Sequence, residues 1–220
     1  MVNKDKSTRR WASIIAFMVI MSPVVCASGA IFPPPSWRGE EGTTFQQWSF
    51  SEQNYAWVNP DAGWDNEFGT PQLFLDRNSL WNATVGEHTG VWTFEGFMGG
   101  VGIDISNNPV SRPEKEMWVE LTWKEAGLMD FVPDVPSINV VADLDSKLVE
   151  RIQEISIGDG WMSTLFKITL QPNPPREWVT ITGDILLDHV VIDTRCIPEP
   201  ATIAILVCGA LLAFRRRRKS

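Results

Sequence analysis

Residues 161–194 read WMSTLFKITLQPNPPREWVTITGDILLDHVVIDT. Met162, Thr164, Phe166, Ile168 and Leu170 fall on one face at a period of two. That is the spacing of a strand with one buried side. Pro172-Asn173-Pro174-Pro175 then breaks the chain. Trp178 to Thr182 and Ile185 to Thr194 read as a closing pair of strands, with Gly183-Asp184 as the turn between them.

Working outward, the same signal recurs. In Met117 to Trp123, Met117, Val119, Leu121 and Trp123 share a face, and in Val91 to Phe97 so do Trp92 and Phe94. Phe45 to Phe50, Ser137 to Ala142 and Ile152 to Ile157 are further strands, although Leu148, Ile152 and Ile155 also fit a helical stripe over Lys147 to Ile155. Turn material separates these runs: Asn59 to Gly63, Ser106 to Pro109 and Gly158-Asp159-Gly160. Gly99-Gly100-Val101-Gly102 reads as a tight connection. About nine short strands at this spacing predict an all-β fold, an antiparallel β-sandwich of jelly-roll type. The span 31–195 is long enough to bury a core without staples. Only Cys196 of the three cysteines falls near it, so no internal disulfide is expected there.

The 220 residues carry 19 Lys+Arg against 27 Asp+Glu. Lys4, Lys6, Arg9 and Arg10 at one end and Arg215 to Lys219 at the other hold nine of the cations, which leaves residues 31–195 at about −15. Such a surface excludes nucleic acid as a partner, because phosphate binding needs a basic face.

The ends carry an address. A basic start, a mostly apolar stretch from Trp11 to Val25 and small residues after it form the pattern of a secretory signal over residues 1–30, with Ala27 or Ala30 as its last residue. An uncleaved anchor fits Pro23 and the small residues less well. Val25 before Cys26 does not fit a lipid-attachment box. At the other end Ala201 to Phe214 contains no charge. As a helix it would span roughly 21 Å, just enough for a thin bilayer with snorkelling arginines. The arginines would stay on the cytoplasmic side. Both ends place residues 31–195 outside.

Pro198-Glu199-Pro200, a short apolar helix and Arg215-Arg216-Arg217-Arg218, in this order over residues 196–220, resemble the PEP-CTERM sorting signal. The resemblance implies recognition by an exosortase, an integral-membrane cysteine protease. The precursor would be anchored in the inner membrane through its C-terminal helix. The tail would then be cut near Pro198-Glu199-Pro200 and the protein passed to the cell surface or extracellular matrix of a bacterium that makes exopolysaccharide. A plain anchor that is never cut is the alternative. Leu187 to Thr194, leading into the tail, and Pro172-Asn173-Pro174-Pro175 before a strand with Glu177 and Trp178 loosely resemble exported β-sandwich domains that carry this tail.

Catalytic patterns are sparse. His88 and His189 are the two histidines, there is no Gly-x-Ser-x-Gly elbow, and His189 reads as a strand residue. Two histidines do not supply a catalytic zinc site. With 25 acids in the middle, some pair always falls at a glycosidase separation, so that pattern carries no information. A non-enzymatic role is expected. Asp61, Asp65 and Glu67 crowd one Gly- and Pro-bearing loop with Asn66 and offer oxygens for a structural calcium; ordinary Asx turns use the same residues. Asp143 and Asp145 form a second acidic cluster. Ten of the eleven tryptophans lie in the middle. Trp92 and Trp123 read as core, whereas Trp57, Trp64 and Trp81 fall in loop-rich sequence and suit stacking on polysaccharide. A carbohydrate-binding module built on those three is the alternative to a plain matrix protein, and a carbohydrate-active enzyme stands behind it.

Overall fold

The computed structural model describes residues 30–94, 99–110, 112–128 and 135–198. The signal segment before Ala30, Glu199, Pro200, the apolar stretch after them and Arg215 to Arg218 lie outside the described residues.

Eleven strands and no helix are described: β1 (Thr43–Trp48), β2 (Gln72–Leu75), β3 (Ser79–Val85), β4 (His88–Phe94), β5 (Gly100–Ser106), β6 (Glu114–Glu125), β7 (Ser137–Val141), β8 (Ser146–Gly158), β9 (Trp161–Gln171), β10 (Arg176–Thr182) and β11 (Ile185–Ile197). They form two sheets with antiparallel neighbours throughout. The larger runs β3-β4-β11-β6-β9-β8, with β1 also on β11; the smaller runs β2-β5-β10-β7. The long β11 organises the larger sheet. β6 pairs along nearly all of one edge. The other edge is shared: Leu186 and Leu187 take β4, and Val190 to Arg195 take β1. A register shift between Leu187 and His189 marks the handover.

Alternation sets which residues meet between the sheets. Met117, Val119, Leu121 and Trp123 of β6, Phe166, Ile168 and Leu170 of β9, and Val190 and Ile192 of β11 share one apolar cluster with Leu73, Leu75, Val101, Ile103, Ile105, Val140, Val179 and Ile181 of the smaller sheet. Each such side chain contributes about 1.5–3 kcal/mol when fully buried. The row ends in polar groups. Lys115 precedes Met117 on the inward side of β6, and Glu177 precedes Val179 on β10; both are buried. Lys115 Nζ donates to Glu177 Oε1 at 2.5 Å. It also donates to Asn107 Oδ1, and Asn107 Nδ2 donates to Glu177 Oε2 and to the Pro174 carbonyl. The pair thus ties one sheet to the other and closes that end of the core.

Two local readings are corrected, and one open alternative is decided for the strand. Gly100–Ser106 is strand β5 rather than part of a connection, and it runs between β2 and β10. Lys147 to Ile155 lies in strand β8, not a helix, because the whole segment pairs with β9 across register shifts that disturb a simple period of two. The strands number eleven, with β2, β3 and β5 added.

Residues 30–40 form a strap over the outer side of the larger sheet. Phe32 and Trp37 are buried there. Trp37 meets Trp118 edge-on, with ring centroids 6.1 Å apart, and the Arg195 guanidinium lies 5.1 Å over Trp37. Arg38 donates through Nε and Nη2 to Asp193 at 2.5 and 2.6 Å and stacks over Phe45.

Candidate functional site

The outer side of the smaller sheet is set by the register of its strands. Phe74, Gly102, Thr180 and Asn139 form one cross-strand row, and Gln72, Asp104, Trp178 and Val141 the next. Their inward neighbours are core, so these residues face away from it. The chain before β2 folds back along the edge, with Val58 and Leu73 exchanging backbone hydrogen bonds of 2.7 and 2.9 Å. This brings Trp57 beside the sheet. Its ring centroid lies 5.7 Å from that of Phe74 and 5.9 Å from that of Trp178, the latter edge-on at 82°. Trp57 remains 50% exposed and Phe74 36%.

Gly102 is required by close approach: a Cβ there would run into the Trp178 indole. Its absence lets Trp178 lie across the strand. Beside the three rings is a cavity of about 230 Å³ lined by Asp76, Gly100, Gly102, Thr180 and Thr182. At its far margin Arg176 makes a bidentate pair with Asp104. The result is an exposed aromatic cluster with hydroxyls and a carboxylate at its border. Chemically it offers ring surface for the apolar faces of a sugar and polar groups for its hydroxyls.

A second cavity, of about 340 Å³, lies on the larger sheet and holds both histidines, which lie 101 residues apart in the sequence. His88 Nδ1 is 2.9 Å from Asp188 Oδ2, and its ring stacks on Trp161 with centroids 3.9 Å apart. Burial pushes the Asp188 carboxyl up, against the opposing effect of His88. Ser49 and Ser51 line the cavity, and neither hydroxyl is hydrogen-bonded to His88. His189 lies on β11, as the sequence predicts, and is buried there.

Of the three tryptophans singled out by sequence, Trp57 alone joins the exposed cluster. Trp64 is half-buried. Trp81 is half-buried in β3, packs on the core and donates Nε1–H to the Phe50 carbonyl at 3.2 Å. Trp57's partners, Phe74 and Trp178, were missed as site residues. Their meeting depends on strand register, which no local pattern carries. In the acidic loop, Asp65 exchanges backbone hydrogen bonds with Phe45, and the Asp61 N–H donates to the Gln47 carbonyl. Asn66 accepts from the Phe68 N–H and donates to the Ser106 carbonyl, so it acts as an Asx turn and a tether. Among the described residues no three His, Cys, Asp or Glu side chains are grouped to hold a metal ion, and Asp61, Asp65 and Glu67 are no exception. Pro198 is exposed directly after β11.

No protein-family model, curated protein or solved structure matches this chain.

Proposed function

We propose that this chain is an exported β-sandwich of jelly-roll type, sorted through its C-terminal tail, that holds polysaccharide at the surface or in the matrix and catalyses nothing. The observation that carries the binding part is the exposed Trp57–Phe74–Trp178 cluster beside a glycine-floored cavity. A solvent-facing cluster of large rings is what a partner surface looks like. Its hydroxyl and carboxylate border suits a polyol more than an apolar peptide. The sorting part rests on the tail sequence, and the exposed Pro198 directly after the last strand supports it. Two prolines in the motif itself would keep it extended for the protease.

Two measurements test the reading. Mass spectrometry of the protein from its native cells, with inner-membrane and surface fractions kept apart, should give a C-terminus near Pro198-Glu199-Pro200 in the surface fraction. An intact arginine tail confined to the inner membrane would replace sorting with simple anchoring. Affinity electrophoresis on a panel of acidic and neutral polysaccharides should retard the domain, with retardation lost in Trp57→Ala. Unhindered migration on every gel would remove the binding role.

A further inference from the structure

Glu120 lies on the outer side of β6 and is 4% exposed. Its Oε1 accepts the Ile31 N–H at 2.5 Å, and the Phe32 N–H lies 3.3 and 3.4 Å from its two oxygens. Ser163 Oγ donates to it at 3.1 Å. Every partner is neutral. The cations that reach this side of the sheet are committed elsewhere. Arg38 is held by Asp193, while Arg195 and Lys167 lie 2.9 and 3.7 Å from Glu116. Among the described residues Glu120 makes no ion pair, although a carboxylate this buried needs a counter-charge.

The shortest hydrogen bond to that carboxylate comes from the backbone nitrogen of Ile31. Ser28-Gly29-Ala30 precede it, with small residues one and three places before the Ala30–Ile31 bond, as a signal peptidase requires. Ala30 and Ile31 are both exposed. A cut at this bond converts the Ile31 amide, with one N–H, into an ammonium with three. A cut after Ala27 instead leaves Ile31 as a neutral amide. The new charge then sits three residues upstream, up to about 10 Å away along an extended chain.

We infer that the precursor is cut between Ala30 and Ile31 and that the new α-ammonium of Ile31 closes onto buried Glu120, locking the strap over the larger sheet. The step is a hydrolysis. Water supplies hydroxide to the Ala30 carbonyl carbon and a proton to the Ile31 nitrogen, the C–N bond breaks, and the amine takes a second proton from solvent. The charge-assisted contact is the stronger form of the hydrogen bond already in place. In the uncut chain burial raises the Glu120 carboxyl above its ordinary value, against the two backbone N–H groups, Ser163 and Arg38. The ammonium would reverse that.

This inference rests on the export reading, and the test separates the two. N-terminal mass analysis of the protein from its native cells should show a chain starting at Ile31. A chain starting at Ser28 would overturn the inference and leave export standing. A retained signal segment would overturn both. The purified chain starting at Ile31 should then react with an acylating reagent at pH 8 about fivefold more slowly at its α-amine than a chain starting at Ser28. This corresponds to a shift of about one unit above the usual 7.7–8.0. Glu120→Gln should restore the faster rate. Equal rates in the two wild-type chains would overturn the docking, and that comparison stands even if the variant folds poorly.

Discussion

The two sheets treat their outer sides in opposite ways. The larger sheet places Glu116, Glu120 and Asp193 on its outer side, all nearly buried, and binds the 30–40 strap through Glu120 and Asp193. The smaller sheet leaves Trp57, Phe74 and Val141 open to solvent. Polar side chains lie under cover where apolar ones would cost less, and rings stay exposed where burial would stabilise. Two sheets that share one core therefore have different tasks on their backs. Charge on the covered side fixes a segment of this chain in one register. Apolar surface on the open side is left for something else.

The comparison breaks most completely if the sheets part. Lys115→Ala leaves Glu177 buried without its cation and should cost about 3–5 kcal/mol in urea unfolding. Lys115→Met combined with Glu177→Leu, which removes both charges, should recover most of that loss. Next is the strap. Arg38→Ala strands the Asp193 carboxylate and should cost about 2 kcal/mol, with faster hydrogen exchange confined first to residues 30–40. A uniform increase over both sheets would mean that the strap is not a separate unit.

A smaller effect comes from pH. Burial holds Asp188 and Asp193 above their ordinary 3.8, against the opposing pull of His88 and Arg38. The folded state therefore binds their protons more tightly than the unfolded chain does. Stability from these groups should grow as pH falls through their folded values and diminish as pH rises through them. Glu116 opposes the trend. Its burial is outweighed by hydrogen bonds from Arg195 and Trp118 and by the charges of Arg195 and Lys167, so its carboxyl lies below 4.5. Melting temperatures should rise as pH falls through the folded values of Asp188 and Asp193, with Glu116 working against the gain only as pH falls below its ordinary 4.5. Arg38→Asn should steepen that dependence.

Smallest in stability, though not in binding, is the open side. Trp57→Ala should cost about 1 kcal/mol in unfolding, through its contacts with Phe74 and Trp178, and weaken polysaccharide retention about tenfold. Gly102→Ala should displace the Trp178 ring and shift its fluorescence while leaving the strap's exchange unchanged.

Much of the core side was legible in the sequence. Met117 to Trp123 and Trp161 to Leu170 were legible because Met117, Val119, Leu121 and Trp123, and Phe166, Ile168 and Leu170, recur at a period of two and all face the one core. β5 was not legible: Gly100 and Gly102 occupy its outward positions, and glycine reads as a turn. β8 was ambiguous because its register shifts put Leu148, Ile152 and Ile155 at a helix-like spacing. Trp57 stood out as an exposed ring, but its partners did not. Phe74 and Trp178 lie 17 and 121 residues away in the chain, and only pairing through β5 brings them together.

The position of β11 has a consequence for the order of events during synthesis. β1, β4 and β6 all pair with β11, the last of the described strands to be made. At ordinary elongation rates, Thr43 precedes Ile185 by roughly ten seconds or more. Through that interval the larger sheet lacks its centre, and β1 has no strand to pair with. The domain completes itself only when the residues leading into Pro198 arrive. Closure of the fold and emergence of Pro198-Glu199-Pro200 are therefore nearly the same moment.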